Sequence, residues 1–392
     1  MKFLGSPEPT VGMELEWQLV DRDTLDLVSG ILPLVRQFSD NPHVTPEFMQ
    51  SAVEINSPIC RNTAELRTEI QALLDAVIAV AKGLGMRLCG AGTHPFSERL
   101  ADVTPLPRYR LVEENTGYVG YSQLTFAMHV HVGMPTGDDA MRVLCGLIPY
   151  LPALIAISAN SPFYRGSDTA FASYRLRILA LGSRYGTPPY IHNWRRFVQA
   201  FAAARRAGMY ATISDAHWHL RPQPSFGTLE VRILDMQPTL AIASAVAAFV
   251  HSLAVLLLRH PSPETAGHLP QTLPWWLELE NRYSASRYGL EAPFIYDERG
   301  RTRPLDELVH ELIERVLPVA RQLGNARDLE RLRRWLDESP GYRYQRELYA
   351  STGSLRGVTE ALCEAVEKEN GSKVCFQDND DSGPFHVSRS SK

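Results

Sequence analysis

The sequence predicts an α+β protein, and three observations carry that expectation. Several short segments alternate apolar and polar residues with the period of a half-buried strand, beginning with "GMELEWQLV" at residues 12–20. Between them lie long segments with apolar residues at helical spacing. Some strand segments are joined tightly enough to read as hairpins, which favours strands and helices mixed in one domain. No G-x-G-x-x-G follows a strand and no P-loop occurs; "GAGTHP" lacks the lysine and spacing of a phosphate cradle.

Residues 10–20 read as the first strand and residues 48–57, "FMQSAVEINS", as the second. "TAELRTEIQALLDAVIAVAKGLG" follows as a helix, with Asn62 or Thr63 as cap and a closing glycine. "MRLCGAGTHP" is a short strand running into a Gly/Pro turn, and residues 97–120 a polar loop. "SQLTFAMHVHVGMP" alternates most regularly and is the clearest strand. A long helix is expected over "DDAMRVLCGLIPYLPALIAISA", capped by Asp138. "ANSPFYRGSDTAFASYRLRIL" reads as loop and turn, and "NWRRFVQAFAAARRAG" as a helix. "DAHWHLRPQPSFGTLEVRILD" reads as a hairpin, followed by a buried helix at 239–258. From residue 270 the chain is mostly helical. Residues 1–365 are expected to form one domain and residues 366–392 a disordered polar tail.

With 392 residues, 44% of them hydrophobic, the chain can bury a large core. Its net charge of −4 gives no overall basic field for nucleic acid. Local clusters such as Arg195–Arg196 and Arg205–Arg206 read as solvated helix faces. Five scattered cysteines without C-x-x-C spacing suggest reduced thiols. "MKFLGSPEPT" lacks an apolar signal core. The two most apolar stretches, around 145–159 and 240–258, carry two prolines and His251 respectively. Both read as buried helices rather than membrane spans, and a cytoplasmic protein is expected.

Four strands share a peculiarity. Glu14 and Glu16 project to one face of the first strand, with Gln18, while Met13, Leu15, Trp17 and Leu19 cover the other. In "TFAMHVHVG", His129 and His131 oppose Phe126, Met128, Val130 and Val132. In "DAHWHLR", Asp215, His217, His219 and Arg221 oppose Ala216, Trp218 and Leu220. In "TLEVRIL", Glu230 and Arg232 oppose Leu229, Val231 and Ile233. The segment before the first helix adds Glu47 and Glu54, seven residues apart. One such strand reads simply as a sheet with a wet face. Four of them, carrying Glu, His, Gln and Arg but no Lys, read as a shared site. Crowded, partly buried carboxylates repel one another, and divalent cations relieve the repulsion. Mg²⁺ or Mn²⁺ favour oxygen donors with an occasional imidazole; zinc would favour Cys or several His. Arginines near such a site suit ATP chemistry. His217 and His219 read equally well as sheet-face histidines without a role, and Trp218 as core.

"GMELEWQLVD", "MQSAVEINSPICRN", "CGAGTHPF", "HVHVG", "SANSPFYRGSDTAFASYR" and "FGTLEVRILD" together resemble the carboxylate–amine ligases of the second glutamate–cysteine ligase type, in order from about residue 10 to residue 360. The resemblance implies a glutamine-synthetase-like catalytic fold: a curved antiparallel sheet forming an active-site funnel, with helices on its outer face. It implies an ATP-dependent reaction in which a glutamate carboxylate becomes an acyl phosphate and an amine such as cysteine displaces phosphate. By the same resemblance Glu14, Glu16, Glu47, Glu54, His129 and Glu230 match metal ligands for Mg²⁺ or Mn²⁺. His131 falls beside the nucleotide or substrate, Arg232 over the transferring phosphate, and Arg175 at phosphate or a substrate carboxylate. A homodimer is also implied, with no nucleic-acid or membrane partner. The same constellation leaves open a kinase acting on a carboxylate or guanidine, and a non-catalytic ligand-binding protein.

Overall fold

A computed structural model of the chain describes residues 1–100, 102–182, 184–260 and 272–371. Its centre is a seven-stranded antiparallel sheet. The strands, in chain order, are β1 (Val11–Asp21), β2 (Val44–Pro46), β3 (Ala52–Asn56), β4 (Met86–Cys89), β5 (Met128–Gly133), β6 (Leu220–Gln223) and β7 (Thr228–Val231). Their spatial order is β6-β7-β5-β1-β3-β2, with β4 also paired to β1. β1 is central because its eleven residues serve three partners: β5 along Val11–Leu15, β3 along Glu14–Gln18 and β4 along Gln18–Asp21.

The period-2 pattern of β1 explains its seat. Met13, Leu15, Trp17 and Leu19 are buried on the helix side, and Glu14 and Glu16 are half-buried on the other. Helix Thr63–Gly83 packs behind β1, β3 and β4, capped as expected by the Asn62 side chain, which accepts the Glu65 N–H. The Leu240–Arg259 helix is buried among β5 and the helices Thr63–Gly83, Leu305–Leu323 and Ala326–Glu338. Both apolar stretches are core helices, with 89% and 94% of their most apolar windows buried inside the protein. The fold class is the expected one.

Several local expectations change. Residues 97–120 are not one loop, for a helix spans Pro107–Thr116 and another begins at Tyr118. Pro107 starts the first of these, where its missing N–H is harmless. The long helix after β5 is divided into Gly137–Leu147 and Leu151–Ser158 by a 3₁₀ turn over Ile148–Tyr150, at Pro149 and Pro152. Thr136, not Asp138, caps it by accepting the Asp139 N–H, while Asp138 accepts the Trp194 N–H at 2.7 Å. A short helix, Arg175–Leu179, interrupts the expected loop after residue 159. The β6–β7 hairpin is shorter than expected, and His217–Trp218 instead pairs in parallel with Tyr185–Gly186. Trp218 packs as core, edge-on to Phe197 and Tyr210. The last helix, Leu355–Gly371, runs past residue 366; most of the expected tail, 372–392, lies outside the described residues.

Candidate functional site

Strand register gathers the polar face. Glu14 stands opposite His129 and Asn56, Glu16 opposite Glu54, and Glu230 opposite both His131 and Arg221. Directly opposed residues share a face, so β1, β3, β5, β6 and β7 all direct ionisable groups to the same side. Glu47 joins from just beyond β2, its carboxylate accepting the Phe48 N–H at 2.8 Å.

Two donor clusters result. Glu14, His131 and Glu230 offer ligand atoms within 4.8 Å of one another, and so do Glu16, Glu47 and Glu54. Glu14 and Glu16 therefore fall in different clusters, with the pleat of β1 between them. The imidazole of the first cluster is His131, which the sequence placed beside a nucleotide; its Nε2 is 3.0 Å from Glu14 and 4.0 Å from Glu230. His129 stands between the clusters, 2.8 Å from Glu14 through Nδ1 and 3.7 Å from Glu16 through Nε2.

The two clusters differ in compensation. Burial works against ionised Glu230, but the Arg232 and Arg221 guanidiniums outweigh it and hold its carboxyl far below the usual range. Arg221 grips Glu230 bidentately at 2.8 and 3.0 Å, Gln223 donates at 2.8 Å, and Arg232 also pairs with it. Glu14 is likewise kept ionised, the His129 and His131 hydrogen bonds overcoming burial. Burial opposes charge on His131 as well, but the Glu14 hydrogen bond and Glu230 charge raise its pKa. Burial and the Arg232 charge lower that of His129.

In the second cluster burial prevails. It raises Glu16 to about 7 despite the Arg175 charge and the hydrogen bond from the Ala127 N–H. Burial and the charges of Glu54 and Glu16 push Glu47 well up, and its contact with Glu54 favours the protonated form further. Burial and the Glu14 charge raise Glu54, whose Oε1 is fixed by Thr45 at 2.9 Å and Asn56 at 2.8 Å. Three half-buried carboxylates with too few cationic partners form a site that fits a divalent cation, and all-oxygen donors suit Mg²⁺ or Mn²⁺.

Arg175 is buried at the edge of this face. Its Nη1 and Nη2 donate to the carbonyls of Ile233 and Arg232 at 3.3 Å, and Nη1 is 3.8 Å from Asp235. Asp235 is fully buried and accepts the Asn160 N–H at 2.9 Å, Ser161 Oγ at 2.7 Å and Ser173 Oγ at 2.9 Å. Sequence reading missed Asp235 and the gripping role of Arg221. Arg221 had a signal, its place on the polar face; Asp235 had none, because its partners are distant in the chain. His217 and His219 reach the same side but join neither cluster. Burial, with nearby arginines, lowers both to about 3, and His217 stacks on Tyr185 with ring centroids 4.9 Å apart. The glycines of "GAG" serve close packing: a Cβ on Gly90 would meet the Gln237 carbonyl at 2.4 Å, and one on Gly92 would meet Asp235 at 2.7 Å.

The chain is also similar to known proteins. The chain is 44% identical over 369 residues to a Trichormus variabilis protein named "Putative glutamate–cysteine ligase 2", covering 94% of this chain and 95% of that one. A Bordetella avium protein of the same name is 34% identical over 377 residues, covering 95% and 92%. Among solved structures, the fold is shared with a glutamate–cysteine ligase from Francisella tularensis, crystallised with AMP: TM-score 0.65, 13% identity, 93% of this chain and 90% of that one. It is also shared with a bifunctional glutathione synthetase from Pasteurella multocida: TM-score 0.67, 13% identity, 93% of this chain and 53% of that one. The family pattern of glutamate–cysteine ligase family 2 matches residues 10–365, and the chain belongs to that family.

Proposed function

We propose that the protein is an ATP- and divalent-metal-dependent carboxylate–amine ligase, with glutamate as the carboxylate and cysteine or a related amine as acceptor. The observation that carries this reading is the pair of three-donor clusters on either side of one strand, with Arg232 beside one and Arg175 near the other. Glu14, His131 and Glu230 would hold one Mg²⁺ or Mn²⁺, and Glu16, Glu47 and Glu54 the other. Bound there, the cations supply charge neutralisation for the nucleotide phosphates.

The chain's own groups provide position and charge. Arg232, half-buried and paired with Glu230, keeps a permanent guanidinium over the place where phosphoryl charge develops. Arg175 is fixed by two backbone carbonyls and Asp235, so its orientation is set before substrate arrives. His129 is held neutral and keeps Glu14 in place. In the reaction a carboxylate oxygen bonds to the γ-phosphorus and ADP leaves with the broken P–O electron pair. The amine nitrogen then bonds to the acyl carbon, sheds a proton, and phosphate departs.

The test is ADP and phosphate release with glutamate and a panel of amines, with products identified by mass spectrometry. Amine-dependent release of ADP and phosphate with an amide product is expected. A stable phosphorylated product without free phosphate would make the protein a kinase, and no turnover with any amino-acid pair would reject the ligase reading.

A further inference from the structure

Among the donors of the two clusters, Glu14, Glu16, Glu54, His131 and Glu230 stand within strands, and the sheet itself places them. Glu47 does not. β2 is an edge strand whose pairing with β3 ends at Pro46, opposite Val53. Proline has no N–H with which to continue a ladder, so sheet pairing stops one residue before Glu47. The hydrogen bond that the Glu47 carboxylate accepts from the Phe48 N–H is local and does not tie this stretch to the rest of the fold. The backbone that carries Glu47 must therefore be held from elsewhere.

Residues 102–109 hold it. Three successive carbonyls, those of Pro46, Glu47 and Phe48, accept hydrogen bonds from this segment. The Tyr109 hydroxyl donates to the Pro46 carbonyl at 2.8 Å, and Arg108 Nη2 donates to the same oxygen at 3.2 Å. Thr104 Oγ1 donates to the Glu47 carbonyl at 2.6 Å, and the Thr104 N–H to the Phe48 carbonyl at 2.8 Å. Further along, the Gln50 N–H donates to the Asp102 carbonyl at 2.8 Å. Thr104 is fully buried, and Tyr109 is the one buried residue of helix Pro107–Thr116, packed edge-on to Phe48 with ring centroids 5.7 Å apart. Arg108 Nη2 also donates to the Tyr109 oxygen. A phenol that accepts there has its single proton left for Pro46. Two buried hydroxyls are thus directed at the backbone on which one carboxylate hangs.

We propose that Tyr109 and Thr104 are positioning residues for Glu47: from outside the sheet they fix the 46–48 backbone so that its carboxylate meets Glu16 and Glu54, and they thereby set the divalent-cation affinity of that cluster. The proposal rests on the ligase reading above, in which these three carboxylates hold a cation. A metal site needs its donors held to a fraction of an ångström, and groups that orient a ligand tune affinity without touching the ion. Glu16 and Glu54 owe that precision to β1 and β3. Glu47 owes it to a helix that is anchored by one buried side chain, so the cluster is coupled to helix Pro107–Thr116.

The test measures Mn²⁺ binding to the full chain without nucleotide, by electron paramagnetic resonance of the free ion, well below the melting temperature of every variant. Tyr109→Phe keeps the ring against Phe48 and loses only the hydroxyl; Thr104→Val keeps the shape and loses only Oγ1. Each should weaken Mn²⁺ binding about 3- to 10-fold, the effect of one hydrogen bond. Glu47→Gln should weaken it too, and adding Tyr109→Phe to Glu47→Gln should cost nothing more, because the tyrosine acts through that carboxylate. Tyr121→Phe is the control: its hydroxyl donates to Glu113 at 2.7 Å in the same part of the chain, away from Pro46, and its loss should leave Mn²⁺ affinity unchanged. Wild-type affinity in both Tyr109→Phe and Thr104→Val overturns the proposal. So does an equal loss in Tyr121→Phe, or a Tyr109→Phe effect that persists in full beside Glu47→Gln, since either would mean general loosening rather than placement of Glu47. The expected pattern of Mn²⁺ affinities without ligation of any amino-acid pair would reject the ligase reading alone. Ligation with Mn²⁺ affinity untouched in the variants would reject the positioning role alone.

Discussion

Replacing Glu47 with Gln should stabilise the metal-free protein and weaken its response to Mg²⁺. Each carboxylate of Glu16, Glu47 and Glu54 offers an oxygen within 4.8 Å of the other two. Two unit charges at that separation, in an effective dielectric of about 20, repel by about 3.5 kcal/mol. Wild type relieves part of this because folding favours the protonated form of Glu47, and that relief depends on pH. A carboxyl whose pKa is raised by folding contributes stability below its unfolded pKa and loses it as pH climbs towards the folded value. Within that window each pH unit removes about 1.4 kcal/mol of stability. Gln at position 47 carries no charge, can still accept the Phe48 N–H, and can donate to Glu54. In EDTA at pH 8 the variant should therefore melt a few degrees above wild type, and at pH 5.5 the two should nearly coincide. Millimolar MgCl₂ or MnCl₂ should raise wild-type Tm clearly at pH 8 and raise the variant much less. Differential scanning fluorimetry in the four conditions measures this. A variant that melts below wild type in EDTA at pH 8, or that keeps the full metal shift, would refute the reasoning.

Four further substitutions probe the site and its support. Glu16→Ala and Arg232→Ala should each cut ligation by about 10²-fold or more while circular dichroism stays native, since each removes charge placed for the reaction; wild-type rates would remove that residue from the site. Asp235→Ala should destabilise the fold by about 2–4 kcal/mol in urea unfolding, because the donors of Asn160, Ser161 and Ser173 lose a buried acceptor. Gly90→Ala should cost about 1–3 kcal/mol in the same assay, its new methyl meeting the Gln237 carbonyl and the Trp17 ring.

The residues legible from the sequence were those whose meaning is local. Strand alternation placed Glu14, Glu16, His129, Glu230 and Arg232 on one face, because a period of 2 needs no knowledge of neighbours. Asn62 was readable as a cap for the same reason: its partner is three residues away. Pairing was not readable in that way. That His129 and His131 both reach Glu14 and Glu230, at 2.8 and 3.9 Å and at 3.0 and 4.0 Å respectively, depends on the offset of β5 against β1 and β7, which is a property of the assembled sheet. Asp235 looked like the end of a strand, and only folding brings residues 160–175 onto it. The helix within 97–120 was hidden because its weak amphipathic pattern is mostly polar, and packing rather than periodicity decides such segments.

The unequal compensation of the two clusters leads to a stoichiometric prediction. Glu230 already has Arg221, Arg232 and Gln223 as partners, so a cation entering beside it must compete with two guanidiniums. Among the described residues Glu16, Glu47 and Glu54 share no such pair, and Arg175 acts on Glu16 without an ion pair. A divalent cation added to the free protein should therefore fill the Glu16 cluster first. On the ligase reading, ATP should change the balance at the other cluster, because its phosphates would offer Arg232 an alternative anion and bring negative charge to the cation. Titration with Mn²⁺, followed by electron paramagnetic resonance of the free ion, should show one tight site per chain without nucleotide and two with a non-hydrolysable ATP analogue. Glu54→Gln should weaken the site seen without nucleotide, and Glu14→Gln the one that appears with it. Two equal sites in the absence of nucleotide would mean that the arginine pairs do not set the order of filling.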